Sequence, residues 1–476
     1  MRLTKTEFVD YQKCSKALWL KHAKPEAIEW PPLSDFDRHQ MQMGYEVERL
    51  AQEYMPTWDA EGKFSFQDEF KTDAGLYARA DIVRTNDDGT IDIFEVKSSA
   101  KLKESNGPDH IDDATFQTVV AERCGHNVRS VFVVHVSKEY VRQGVIDPAE
   151  LLVFADVTDE VRRRQEMISI NADLALRFLN QAEIDESFCD CRFKSRGNHC
   201  AAFSYFNSDI EEPSIYVIPN LRKASAFAED GITSLLDVPE DQLTAKQVPV
   251  RRSAELGAPV INRQGIRTFL ETLEWPLYFY DYETVSSPVP RADGHSPHQQ
   301  MPIQFSLHRL DEDGTLTHTE YLSMQDGDQE QLVLQLIANI GEAGSLIAWN
   351  KKFEIGCNNR LGKLLPEHVH FLHDMSHRTV DLMDPFAEDY VDIAFGGSNS
   401  IKHVLPVLCP DLSYNKDAVH DGGMAIVAWI EMVETINEHR RNRLARELSE
   451  YCELDTLAMV RIFEVLRKIV SEAASA

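Results

Sequence analysis

A chain of 476 residues is long enough for about three domains with real cores, and 43% hydrophobic and 9% aromatic content is ordinary for a globular fold. Acids outnumber bases 78 to 49, a net charge of −29 that weighs against non-specific attraction to phosphates unless bound cations reverse the local sign. No apolar run approaches the roughly 20 residues of a bilayer span, and the opening MRLTKTEFVDYQKCSKALWL lacks the apolar stretch of a signal peptide, so a cytoplasmic protein without membrane partners is expected.

Residues 1–206 alternate helix and strand. A helix is expected from about Asp35 to Tyr54, then two strands, LYARADIVR and IDIFEVKSS, joined by the turn residues Asn86, Asp87, Asp88 and Gly89. A helix beginning near Asp112–Asp113 carries FQTVVAERC, the apolar strand VRSVFVVHV follows, and another helix covers roughly 158–182. Glu95 and Lys97 are two apart on a strand and share a face. The hairpin turns near residue 88, which sets Asp81 beside Glu95. Two carboxylates and an ammonium group suit a hard divalent cation, Mg²⁺ or Mn²⁺, with an attacking water. The alternative is an exposed hairpin face carrying ordinary salt-bridging charge.

Eight cysteines are too sparse for a disulfide scaffold, and in a reducing compartment a local cluster more often binds metal. Cys189, Cys191 and Cys200 fall within twelve residues, and Cys14 lies far upstream, with His199 as a substitute ligand. Four thiolates are what a 4Fe–4S cluster needs; zinc and simple buried thiols are the alternatives.

Residues 207–264 read as a short helical linker, and LRKASAFAEDGITSLLDVP, with its Gly-Ile turn, is either plain linker or helix-hairpin-helix-like. Residues 265–476 read as a second αβ domain. Its expected elements are the strands PLYFYDYET, IQFSLHRL and HTEYLSM, a helix near 328–342, the buried strand SLIAWN and a long helix from about 446. Asp281 and Glu283 share a strand face, while Tyr451 and Asp455 are one helical turn apart. Between them AWNKKFEIGCN offers Glu354, with Asp381 in reserve; GSNSIKHVLPVL adds Lys402 and His403 as groups near a substrate.

The pair of constellations resembles two nuclease families. Asp81, the Glu95-x-Lys97 strand and Gln117 on the following helix resemble the RecB-like PD-(D/E)xK nucleases and the related CRISPR-adaptation exonucleases. In that pattern Glu48 of GYEVERLA stands where a histidine is usual. The same resemblance implies a 4Fe–4S cluster on Cys14, Cys189, Cys191 and Cys200. DYET, WNKKFE and YCELD, in that order, resemble the DEDD exonucleases of RNase H-like fold. That implies Asp281, Glu283, Glu354 and Asp455 as ligands of two cations and Tyr451 as the residue that orients water. The implied architecture is α/β: a restriction-endonuclease-like domain, a helical linker and an RNase H-like domain, resembling a bacterial family of such fusions. The implied activity is a Mg/Mn-dependent nuclease, exonuclease foremost, acting on DNA ahead of RNA. RNA processing, a non-catalytic scaffold role, and service as a partner of a helicase or defence complex are the alternatives; no G-x-x-x-x-G-K-[ST] motif is present in the chain itself.

Overall fold

The computed structural model describes residues 2–104, 109–414 and 418–472. It is a mixed α/β fold that divides into two compact units: unit 1, up to Asp209 together with Ser287–Gln299, and unit 2, Ile210–Ser286 with the chain from Gln300 onward. Among the described residues no helix is long and apolar enough to cross a membrane.

Unit 1 is built on strands β1 (Leu3–Thr4), β2 (Lys63–Lys71), β3 (Leu76–Thr85), β4 (Ile91–Lys97), β5 (Val128–Val136) and β6 (Leu152–Asp156). Its helices of eight residues or more are α1 (Lys5–Lys13), α2 (Ser15–Ala23), α3 (Asp35–Trp58), α4 (His110–Arg123) and α5 (Thr158–Leu179). β3 runs antiparallel to β2 and β4, and β5 returns parallel to β4. That parallel return needs a crossover, which α4 supplies. One face of the sheet packs Ile91, Ile93, Val131 and Val133 with α4 and α5, and the other packs Phe94 and Val134 with α3. β4 is therefore covered on both sides. The alternative of an exposed hairpin face is corrected here: Glu95 is 1% exposed, and the Lys97 side chain retains only 19%.

Unit 2 contains β7 (Val260–Ile261), β8 (Leu277–Val285), β9 (Met301–Leu310), β10 (Leu316–Leu322), β11 (Leu346–Ala348), β12 (Thr379–Asp381) and β13 (Tyr390–Val391). Its main sheet has the order β10-β9-β8-β11-β12. The first three strands are antiparallel, and β11 lies parallel to β8 and β12. Helices of eight residues or more are α6 (Val248–Leu256), α7 (Arg263–Glu271), α8 (Gln329–Asn339), α9 (Lys352–Leu364), α10 (Val369–Arg378), α11 (Ile401–Leu408), α12 (Gly422–Glu434) and α13 (Glu438–Glu472). Along β8 the side chains alternate between two cores. Leu277 and Phe279 pack with Val460, Phe463 and Leu466 of α13, whereas Tyr278, Tyr280 and Tyr282 pack with α8 and α9. The same alternation sends Asp281 and Glu283 to the α13 side.

Residues 210–264 fold with unit 2, where β7 pairs with β13. The Gly-Ile turn follows a six-residue helix, Ala224–Glu229, and Gly231 adopts φ +77°. Only a single turn, Leu235–Asp237, comes after it. Pro239 disfavours helix at the residue before it, so no second helix forms there and the hairpin of two helices is absent. α13 begins eight residues earlier than 446, at Glu438. α12 was not anticipated: GGMAIVAWIEMVE opens with two glycines, and its cap is Asp421, whose side chain accepts from Met424 N at 2.8 Å.

Candidate metal centres

In unit 2 the β8 pleat and the α13 turn bring Asp281, Glu283 and Asp455 together, with one oxygen of each within 4.8 Å of the others. They line a cavity of about 320 Å³ together with Trp349, Phe353, Lys402, Gly422 and Tyr451. Burial raises the pKa of all three, and their mutual repulsion adds to it for Asp281 and Glu283: Asp281 rises well above the usual range, Glu283 to about 8 and Asp455 to about 6. Metal-free, the cluster resists holding its full negative charge, which is the condition a bound cation relieves.

Glu354 lies outside this close trio, on the first turn of α9, but near enough that its charge helps raise Asp281. It is 1% exposed, and its Oε2 makes no hydrogen bond. Asp381, the reserve residue, is engaged elsewhere: its carboxylate accepts from Asn350 N at 2.9 Å and Lys351 N at 3.0 Å, capping the entry to α9. The Tyr414 hydroxyl donates to Asp455 Oδ1, and Tyr451 lines the same cavity as Asp455. Lys402 spans the two rings, its Nζ 5.6 Å from the Tyr414 centroid and 5.5 Å from that of Tyr451, and donates to His420 O at 2.9 Å. His403 N bonds Ser400 O at 2.8 Å in the first turn of α11.

Unit 1 gathers Asp81, Glu95, Lys97, Gln117 and Glu48, together with three residues that sequence reasoning missed. Asp81 Oδ2 accepts from Val96 N at 2.8 Å. Glu95 Oε1 receives both Lys97 Nζ, at 2.8 Å, and Lys5 Nζ from α1, while Gln117 donates to its Oε2. Lys97 also pairs with Asp113. Gln67 stands in β2 with φ +58° and donates to Glu48 and, at 3.5 Å, to Asp81. That conformation is strained for a residue with a β-carbon. Burial, then the Glu95 charge, lifts Asp81 to about 8. Burial would lift Glu95 as well, yet the ammonium groups of Lys5 and Lys97 hold it below its usual value. Lys97→Ala should therefore cost about 3 kcal/mol in urea unfolding of unit 1, because it takes the ammonium partner from buried Asp113 and one of two from Glu95; an unchanged midpoint would contradict this packing.

The four cysteines converge. Cys14 sits where α1 ends and α2 starts, and Cys189, Cys191 and Cys200 come from the turns after α5. Their sulfurs lie within 4.8 Å of one another, with Cys189 and Cys200 3.9 Å apart. Asn207 Nδ2 donates to Cys189 Sγ at 3.4 Å. His199 is turned to other partners: its ring stacks on Phe203 at 3.6 Å and Nε2 lies 3.2 Å from Lys194 O. The donor set could hold a metal ion or an iron–sulfur cluster.

Comparison with known proteins adds relatives and no activity. The uncharacterized protein MG366 of Mycoplasma genitalium is 24% identical over 215 residues, 41% of this chain and 32% of its own length. Its homolog in Mycoplasma pneumoniae is 27% identical over 214 residues, 39% and 31% of the two chains. The chain thus spans about a third of the length of these curated relatives. The crystal structure of SSO0001 overlaps 42% of this chain and 87% of its own, at 12% identity and a TM-score of 0.25. Residues 278–400, which include Asp281, Glu283 and Glu354 and stop short of Tyr451 and Asp455, match the domain of unknown function DUF2779.

Proposed function

We propose that the chain is a divalent-cation-dependent nuclease, hydrolysing phosphodiester bonds in single-stranded or free-ended nucleic acid, DNA foremost. The observation that carries this reading is the convergence of Asp281, Glu283 and Asp455 within 4.8 Å in an open cleft. Three clustered carboxylates with raised pKa values, and the unpartnered Glu354 oxygen nearby, make an all-oxygen donor set suited to Mg²⁺ or Mn²⁺. The order of the unit 2 sheet, with three antiparallel strands, two parallel strands and α13 against β8, supports an RNase H-like DEDD assignment. The β3–β4 hairpin, α4 and the parallel β5 support a PD-(D/E)xK assignment for unit 1.

When bound, a pair of divalent cations would supply Lewis-acid charge for both the attacking and the leaving oxygen. Asp281, Glu283 and Asp455 would hold them, with Glu354 at the margin. Tyr414 fixes the Asp455 carboxylate by donating to Oδ1. Burial, then the charge of Asp455, keeps the Tyr451 hydroxyl protonated. It therefore acts as a donor that orients water or a phosphate oxygen, and not as a base. Tyr451→Phe should accordingly lower the rate by no more than about 10²-fold. Lys402 brings a positive charge to the cleft, where an otherwise acidic protein needs one to meet phosphate. In unit 1, Lys97 is held between Glu95 and Asp113 and would face charge developing on phosphate.

The test is digestion of end-labelled single- and double-stranded DNA and RNA with Mn²⁺. Release of labelled mononucleotides is expected. Mn²⁺ at a hundred times its Kd should also stabilise the fold by about 2.7 kcal/mol. Absence of cleavage on all four substrates, with the ion bound, would end the reading.

A further inference from the structure

A second constellation in unit 2 lies outside the acidic cleft. His308 on β9 and His318 on β10 are register partners, with ring centroids 4.5 Å apart. α13 lays Glu453 beside them, its Oε1 3.7 Å from His318 Nδ1. One ligand atom from each of His308, His318 and Glu453 lies within 4.8 Å of the others.

The remaining ring nitrogens are held by hydroxyl groups. His308 Nδ1 lies 2.8 Å from Thr456 Oγ1, and His318 Nε2 lies 2.9 Å from Ser306 Oγ. The two hydroxyls bond each other at 2.6 Å. This is the arrangement that fixes the tautomer and orientation of a metal-ligating histidine: one nitrogen anchored to a polar neighbour and the other presented to the ion. It leaves Nε2 of His308 and Nδ1 of His318 for a ligand.

We infer that His308, His318 and Glu453 bind a transition-metal dication of the zinc class. Two imidazoles and one carboxylate match the ligand preferences of Zn²⁺, whereas Mg²⁺ prefers all-oxygen shells. The partly exposed Glu453 leaves a fourth position open to water. The ion would pin the β9–β10 hairpin to α13. Ser306 is the register partner of Asp281, and Thr456 follows Asp455, so the same pin bears on two residues of the acidic cleft. The inference does not depend on the nuclease reading.

The full chain, stripped with a chelator, is titrated with Zn²⁺ alone and its bound zinc is counted. The wild type is expected to bind one more zinc than His318→Gln or Glu453→Gln, or to bind that zinc at least tenfold more tightly, with Mg²⁺ failing to compete. Asp281→Asn should retain this zinc, which separates it from the acidic cleft. Glu453 sits on the surface, so Glu453→Gln decides the matter even if His318→Gln fails to fold. Equal zinc content and affinity in the wild type and Glu453→Gln would overturn the site, as would loss of this zinc in Asp281→Asn.

Discussion

Asp281→Ala is expected to lower Mn²⁺-dependent trimming of end-labelled DNA by about 10³-fold or more, because Asp281 is one of the carboxylates that would hold the divalent cations whose charge the proposed hydrolysis needs. The assay needs Glu95→Gln in the background, so that unit 1 contributes no cleavage. Asp455→Ala should match it. A second measurement separates a ligand from a structural residue. In the metal-free protein Asp281 is a half-buried carboxyl crowded by Asp455, Glu354 and Glu283, so the neutral isostere in Asp281→Asn should leave the apo fold as stable as before, or more so. What it should lose is the rise in Tm on adding Mn²⁺. If Asp281→Asn keeps that rise in full, Asp281 does not hold the ion.

The acidic cleft was legible because its geometry follows from two periodicities. D-x-E on a strand and Y-x-x-x-D on a helix each put two groups on one face, and the fold needs only to bring β8 and α13 together. Tyr414 was not legible. It lies in an irregular stretch after Cys409, and its bond to Asp455 depends on the tertiary path of that stretch. The same holds in unit 1. Asp81, Glu95, Lys97 and Gln117 follow from a hairpin and the helix after it, but Lys5 reaches Glu95 across 90 positions of sequence. Asp113 reads in sequence as an acid suited to a helix start; Asp109 takes that cap, and Asp113 turns inward to Lys97. Gln67 carries no sequence signal at all, since a left-handed backbone at a glutamine is what local propensity argues against.

Cys189→Ser should remove any metal or cluster held by the four cysteines and lower the stability of unit 1 by about 4–5 kcal/mol, the loop-closure contribution of a cross-link spanning more than 100 residues. Cys14 lies near the start of unit 1, just after β1 and α1, while its three partners follow the last long helix, so an ion or cluster on these sulfurs would tie the two ends together. Other ties exist. Trp19 Nε1 donates to Gln181 O at 2.9 Å and Lys194 Nζ to Lys13 O at 2.6 Å. At about 1 kcal/mol each, they do not replace a four-ligand closure. Absorbance identifies the group. Brown protein, absorbing broadly near about 400 nm, means the 4Fe–4S cluster that the ligand count allows. Colourless protein with one zinc means a single tetrahedral ion, whose bonds of about 2.3 Å put thiolates about 3.8 Å apart; Cys189 and Cys200 lie 3.9 Å apart. A cubane interposes its own iron and sulfide and spreads its thiolates further. Either group should vanish in Cys189→Ser. A variant with undiminished metal content and an unshifted unfolding midpoint would show that the four sulfurs meet only as packing.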